Sequence, residues 1–469
     1  MTLSTPQTAG PRRLSPAPNP IRAEIVSVAV PVAFGAVVWV GGQFVVGALL
    51  GHLPGDALYV RGLLIPVGFL FVALQEALEV VTQIGTARCC GRGELTALRN
   101  LFGRLCGAGW AAFAVVAVAV ALAAPELAAL MRVPAGAAGD FVDVLRWTAL
   151  INVLGVPVNV ATAMLRGGGR PRGAAALTFT VTVLQIAGVW LLGLHGGLGV
   201  FSLPWSAAAA GACGLALGLG LLFRSGALRR APVAPAPAGA GTSAEAGNGG
   251  PPVAVRALLV GIGLPIAATY VMLSVSNLVT EWILTPFGTA TVAGYGAAIS
   301  VQSVAVVPAL ALGTATAVTA NRRWAAGDAT ALPAALRTGL RIAVGGYVLI
   351  ALLCLPAAGT LGRLMTSDPA TADRAATFLR IVGPSFLGLG VVLFLLTFLE
   401  QIGGGLLAAS SNLCYFTLTL AVGGSLARAW GDPQALYGIW AAANVLGVAG
   451  VLPLTLHRVR RVTARGESP

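Results

Sequence analysis

The run LCGAGWAAFAVVAVAVALAA, residues 105–124, carries no charged side chain and no proline. At ~1.5 Å per helical residue it spans the ~30 Å hydrocarbon layer of a bilayer. Its apolar residues are continuous rather than gathered into a stripe. A membrane barrel strand would alternate polar with apolar positions, so a helix is the spanning form this run allows. The rest of the chain is built alike: 57% of the 469 residues are hydrophobic and 10% are charged, against about 25% charged in an ordinary soluble domain.

Outward from this run, charges and Gly/Pro breaks delimit spans at residues 25–50, 59–86, 105–124, 143–165, 173–194 and 198–223, then at 257–284, 290–320, 335–358, 378–400, 404–427 and 434–457. Residues 225–255 are rich in Ala, Pro and Gly, the composition of a flexible cytoplasmic linker. Residues 1–24 hold no short apolar region with a cleavage site and read as a disordered cytoplasmic tail, with the first span as insertion signal. Residues 458–469 read as a basic cytoplasmic tail. The expected fold is an all-α integral membrane protein, with twelve transmembrane helices in two pseudo-symmetric six-helix bundles, 25–224 and 256–457.

The placement of Arg tests that count, because cytoplasmic loops retain the basic residues. All 29 basic residues are Arg, as expected of a GC-rich bacterial genome. With both termini inside, 22 fall on the cytoplasmic side and five (Arg61, Arg132, Arg363, Arg374, Arg428) on the other, with Arg146 and Arg380 near span starts and assigned to neither. A bacterial inner membrane is the expected location. The net charge of +13 therefore reports orientation and not nucleic-acid binding. Six scattered Cys and three isolated His offer no disulfide framework, metal site or catalytic triad. No GxxxxGKS loop exists to bind ATP, so no cofactor and no enzymatic activity are expected.

The two halves repeat each other. IGTARCCGRGE (84–94) ends the second span as LGTATAVTANRRWAAGDAT (312–330) ends the eighth; TAMLRGGGRPRG (162–173) follows the fourth as LTFLEQIGGG (396–405) closes the tenth. Pro31 and Pro265 sit early in the first and seventh spans. With six spans per half the repeat is parallel, placing two bundles face to face across a central cavity.

In the LRGGGRP and LEQIGGG turns, the GLP opening of span seven followed by FGTATVAGYG (287–296), and the GRGE and AAGD turns, the chain resembles the multidrug and toxic compound extrusion (MATE) family of cation-coupled exporters. The resemblance covers nearly all of residues 25–457. It implies alternating access of two lobes, with H⁺ or Na⁺ moving inward as amphipathic drugs or metabolites are expelled. The implied partners are a small-molecule substrate, the coupling cation and the lipid bilayer, with the chain acting as a monomer. Members with an acid in span one carry a motif resembling VDxxFVG; here WVGGQFVVG (39–47) puts Gly42 at that position.

Intramembrane carboxylates are the first candidates for ion coupling, since an ionised acid persists in hydrocarbon only when neutralised, solvated in a cavity or paired. Four fall within spans: Glu76, Glu79, Glu281 and Glu400. Glu76 and Glu79 lie one turn apart and should titrate as a coupled pair, unless one of them pairs with a buried Arg or caps a backbone break. Glu76, nearest mid-membrane, is the preferred site. Glu281, one turn beyond Asn277, faces either the cavity or the outer interface; the family's span-seven Glu lies nearer the GLP motif, at Met272 here. Glu400 resembles an acidic position of span ten in some members, and its place beside Gly403 equally fits an interfacial anchor. Gln302 is a polar candidate for contact with substrate or for an interhelical hydrogen bond. The competing readings are a lipid-linked precursor flippase of the same superfamily, which requires a more basic cavity, and a membrane-embedded transferase, which requires clustered His, Asp or Arg at one interface.

Overall fold

The computed structural model describes residues 20–51, 57–131, 133–226, 255–328, 330–366 and 368–465. They are helical and turn residues without a strand. Eleven continuous helical segments are long and apolar enough to cross a bilayer, and one of them, Pro369–Trp430, runs for 62 residues. At ~1.5 Å per residue that is about three bilayers' worth of helix. It folds back at Ile402 and Gly403, whose φ of −101° and +79° are not helical, and so supplies two spans. The total among the described residues is twelve.

The first bundle contains α1 (Pro20–Gly51), α2 (Ala57–Gly91), α3 (Leu95–Leu130), α4 (Ala135–Gly167), α5 (Pro171–Val189) and α6 (Ser202–Arg224). The second contains α7 (Val255–Leu258), continued through a π turn into α8 (Leu264–Leu284), then α9 (Thr289–Ala325), α10 (Ala331–Met365), α11 (Pro369–Val382), α12 (Phe386–Leu399), α13 (Gly405–Trp430) and α14 (Gln434–Arg465). Helix starts and stops displace the sequence boundaries slightly: residues 20–24 and 458–465, read as tail, are helical. Residues 1–19 and 466–469, and most of the 225–255 linker, lie outside the described residues.

The repeat reaches the backbone. Gly93 and Gly327 turn the chain after α2 and α9 at φ +73° and +94°, and Gly169 and Gly403 do so after α4 and α12 at +76° and +79°. Each is a left-handed conformation that side chains with a Cβ enter at a cost of roughly 1–2 kcal/mol. Packing repeats too: α2 lies on α4 and α1 on α5 in the first bundle, as α9 lies on α12 and α8 on α13 in the second. The bundles exchange equivalent partners, α1 against α9 and α8 against α2.

Among the described residues, the buried clusters shared by the two bundles gather toward one end of the molecule. At the Arg-rich end, Ile25 and Val28 of α1 share a core with Leu312–Ala320 of α9, and Leu258, Ile262 and Ile266 share another with α2 and α3. Toward the opposite end Ile283, Tyr295, Phe378 and Trp440 form a core of second-bundle residues alone, while Val46 and Leu50 pack within the first. Among the described residues, the buried clusters that join the two bundles thus lie at the Arg-rich end.

One kink has an explicit cause. Pro308 interrupts α9, and the Tyr347 hydroxyl inserts into the broken ladder, donating to the Ala305 carbonyl at 2.6 Å and accepting from the Ala309 N–H at 2.9 Å. Gly390 on α12 makes room for that ring, since a Cβ there would overlap it.

Candidate functional site

Helix α2 lies against α4 of its own bundle and against α8 and α9 of the other, so a polar face on it meets both bundles. Glu79 is buried on this helix, with Oε2 2.6 Å from Arg166 Nη1 and Oε1 accepting from Gln75 Nε2 at 3.0 Å. Local sequence explains the pairing. Arg166 occupies the last turn of α4, and Gly167 beside it lets the α4 backbone come down on the Gln83 carbonyl, where a Cβ would collide. That close approach brings Arg166 one turn along α2 to Glu79.

Glu76 is half-buried and lies beside the Tyr270 phenol of α8. Glu400, also half-buried, opens the irregular turn after α12, and its carboxyl lies within electrostatic range of Glu76 and of Tyr270. Four elements from two bundles therefore converge: α2 with two acids, α4 with a guanidinium, α8 with a phenol and the α12 end with a third acid. Arg166 neutralises Glu79. Glu76 and Glu400 have no ion-pair partner among the described residues.

Around this cluster the closed seam is laced by polar contacts. Arg88 Nε donates to Asn321 Oδ1 at 3.3 Å, Asn321 donates to the Gln401 carbonyl at 3.2 Å, and Gln401 Nε2 donates to Thr314 Oγ1 at 3.2 Å. At the rim, Glu24 of α1 holds Arg322 and Arg323 of α9, both at 2.8 Å. Gln401 and Asn321 are buried, so these bonds form away from bulk water, where an unmet polar group is costly.

The expected residues thus divide. Glu76 and Glu400 come together; Glu79 joins them as one half of an ion pair with Arg166, the alternative left open for these two acids. Glu281 is exposed near the end of α8 remote from the seam, beside Trp282, whose ring carries the Arg428 guanidinium 4.3 Å from its centroid. Asn277 is half-buried one turn before it, and Gln302 on α9 keeps a buried Oε1 without a hydrogen-bond partner among the described residues. None of these three reaches the acid cluster. The sequence pattern missed Arg166, which its charge assigned to a loop, and Tyr270, one of several span aromatics. The adjacent Gly167–Gly169 run was the signal that the end of α4 meets a neighbour closely.

The family model described as MatE matches residues 31–191 and 265–424. Among solved structures, a mutant of the Vibrio cholerae MATE transporter VcmN is 19% identical, with 94% of this chain and 97% of that one covered and a TM-score of 0.84. A Pyrococcus furiosus transporter of the MOP superfamily, whose binding pocket is described as reversed in polarity, is 16% identical over 95% and 97% of the two chains, TM-score 0.83. An outward-facing multidrug resistance MATE transporter of that superfamily is similar at 16% identity over 95% and 97%, TM-score 0.79. At such identities the structures speak for the fold. The family match takes in one long stretch of each bundle, more than half the chain in all, and on that ground this multi-pass membrane protein belongs to the MATE family of transporters.

Proposed function

We propose that the chain is a secondary antiporter of a bacterial inner membrane, a monomer that exports amphipathic drugs or metabolites in exchange for protons. The Arg-rich end is cytoplasmic on this reading, so the buried clusters that join the bundles lie on the inner side.

One observation carries the coupling assignment: Glu76 and Glu400 belong to opposite bundles and face a common seam, with Tyr270 between them. Two ionised carboxylates across a low-dielectric junction repel one another, and a proton on either relieves the repulsion. Protonation therefore favours the joined seam and loss of the proton to the cytoplasm favours its opening, which exchanges one access route for the other. The Glu79–Arg166 ion pair stands beside these two acids. Gln302, with its orphaned oxygen, and Asn277 supply polar contacts for substrate, and Glu281 stands near the outer mouth.

The test is transport of ethidium into inside-out proteoliposomes driven by an imposed pH gradient. Glu76→Gln and Glu400→Gln are expected to abolish the pH-driven component, and a sodium gradient is expected not to replace it. Undiminished proton-driven uptake by both variants refutes the assignment.

A further inference from the structure

Arg61 lies in the second turn of α2, near the end remote from the seam, and an arginine so placed ordinarily extends outward to the headgroups. This one points the other way. Its Nη2 donates to the Gln43 carbonyl at 2.7 Å, and Gln43 sits about 12 Å below the end of α1 at ~1.5 Å per residue. Gly47, one turn above Gln43, provides the notch: a Cβ there would overlap Arg61 Nη1.

The guanidinium is half-buried and underused. It has five N–H donors, of which the Gln43 carbonyl takes one, and no acidic side chain pairs with it among the described residues. Desolvating such a cation costs several kcal/mol unless an anion compensates. Along α2 it shares a helical face with Gly68 and, about five turns from Arg61, with Glu79 of the acid cluster. On α1 the family's acidic position is Gly42, and Thr182 of α5 is packed so closely on it that no side chain fits. The outer half of this bundle therefore holds a cation beside Gln43 and Gly47 of α1, with no carboxylate at Gly42.

We propose that Arg61, set at the level of Gln43 by the Gly47 notch, is a subsite for an anionic group, carboxylate, sulfonate or phosphate, on the amphipathic molecules this chain exports. The proposal rests on the export reading for the identity of the ligand. Guanidinium is suited to the task, because its planar fork meets an oxyanion with two parallel donors.

The test uses two dansyl amphiphiles with the same apolar body, one ending in a carboxylate and the other in trimethylammonium. Their affinities are measured by fluorescence on full-length protein in phosphatidylcholine nanodiscs. Arg61→Gln is expected to lower the carboxylate-to-ammonium affinity ratio about tenfold or more, in line with loss of charged hydrogen bonds. Arg61→Lys should lose only part, and Gly47→Ala, which keeps the charge and displaces the guanidinium, should lower the ratio as well. An unchanged ratio in Arg61→Gln and Gly47→Ala overturns the proposal, as does an equal loss for both probes, which signals damage to the bundle. Replacing half the lipid with phosphatidylglycerol separates the remaining source of phosphate: displacement of the carboxylate probe from the unmutated protein and not from Arg61→Gln makes Arg61 a headgroup site instead. Proton-driven transport of either probe by the unmutated protein is scored separately. If neither moves while the Arg61-dependent ratio persists, the export reading falls and the subsite stands.

Discussion

Replacing Arg166 by Gln leaves the Glu79 carboxylate with Gln75 as its strongest donor, one turn from the second acid at Glu76. The pair is bonded at 2.6 Å, and its side chains are 18% and 9% exposed, so neither partner gains full hydration once the other is gone. Breaking a buried pair by removing one member costs about 3–5 kcal/mol. The residual exposure of Arg166 and the amide that Gln retains place the expected loss near the lower limit, about 3 kcal/mol. Glu79→Gln exposes the complementary defect, an arginine without its anion, which then turns toward Glu76 and holds it ionised. The double variant replaces the ion pair by two neutral amides and is expected to recover about 2 kcal/mol relative to the sum of the singles. Unfolding of all four proteins in mixed detergent micelles gives the coupling energy directly. Proton-driven transport supplies the functional readout: Glu79→Gln loses it, and the double variant regains it, because Glu79 supplies fixed charge and not the moving proton. Additivity within about 0.5 kcal/mol, or a double variant as inactive as Glu76→Gln, refutes this reasoning.

Tyr347→Phe strips the α9 break of both bonds and is expected to cost about 1–3 kcal/mol in the same unfolding assay. Gly403→Ala, forced into a left-handed turn, should destabilise by roughly 1–2 kcal/mol, whereas Ala at Gly438, which borders open space, should be neutral or stabilising. Glu24→Gln frees Arg322 and Arg323 and should raise thiol-reagent labelling of an engineered cysteine at Ala320, buried in the Arg-rich end of the seam; unaltered labelling counts against Glu24 as the clasp. Asp368 caps α11 by accepting from the Thr371 hydroxyl and N–H, and these bonds hold its carboxyl below the usual carboxylate value. Its contribution is therefore complete above the unfolded pKa of about 3.9 and fades as pH falls through the lower folded value. Asp368→Ala should reduce the melting temperature at pH 7 and converge with the parent under strong acid.

Spans were legible because each is an uncharged run of bilayer length, and sidedness of the Arg residues restricts how such runs connect. The eighth and ninth spans show where that ends: hydropathy registers Thr289–Ala325 as an unbroken helix and is silent on the tyrosine of α10 that mends it at Pro308. The same limit governs the site. Glu76 and Glu400 stood out as acids in apolar runs, but their meeting depends on how the bundles dock, a relation between residues more than 300 positions apart. Arg166 was hidden for a geometric reason. Its α-carbon belongs to the polar rim, and its long side chain carries the charge back one turn into the bundle, where charge counting by loop does not look.

The contact between Gly42 and Thr182 bears on ancestry as well as on chemistry. A single codon change to Asp at Gly42 would not re-create a span-one acid, because the threonine methyl already fills its volume; residue 182 must shrink first, and that change alone opens a void with nothing to gain from it. An acid at position 42 therefore requires a smaller residue at 182 in the same molecule. In a laboratory the two changes can be made together, which turns the contact into a handle for grafting the relatives' chemistry onto this scaffold.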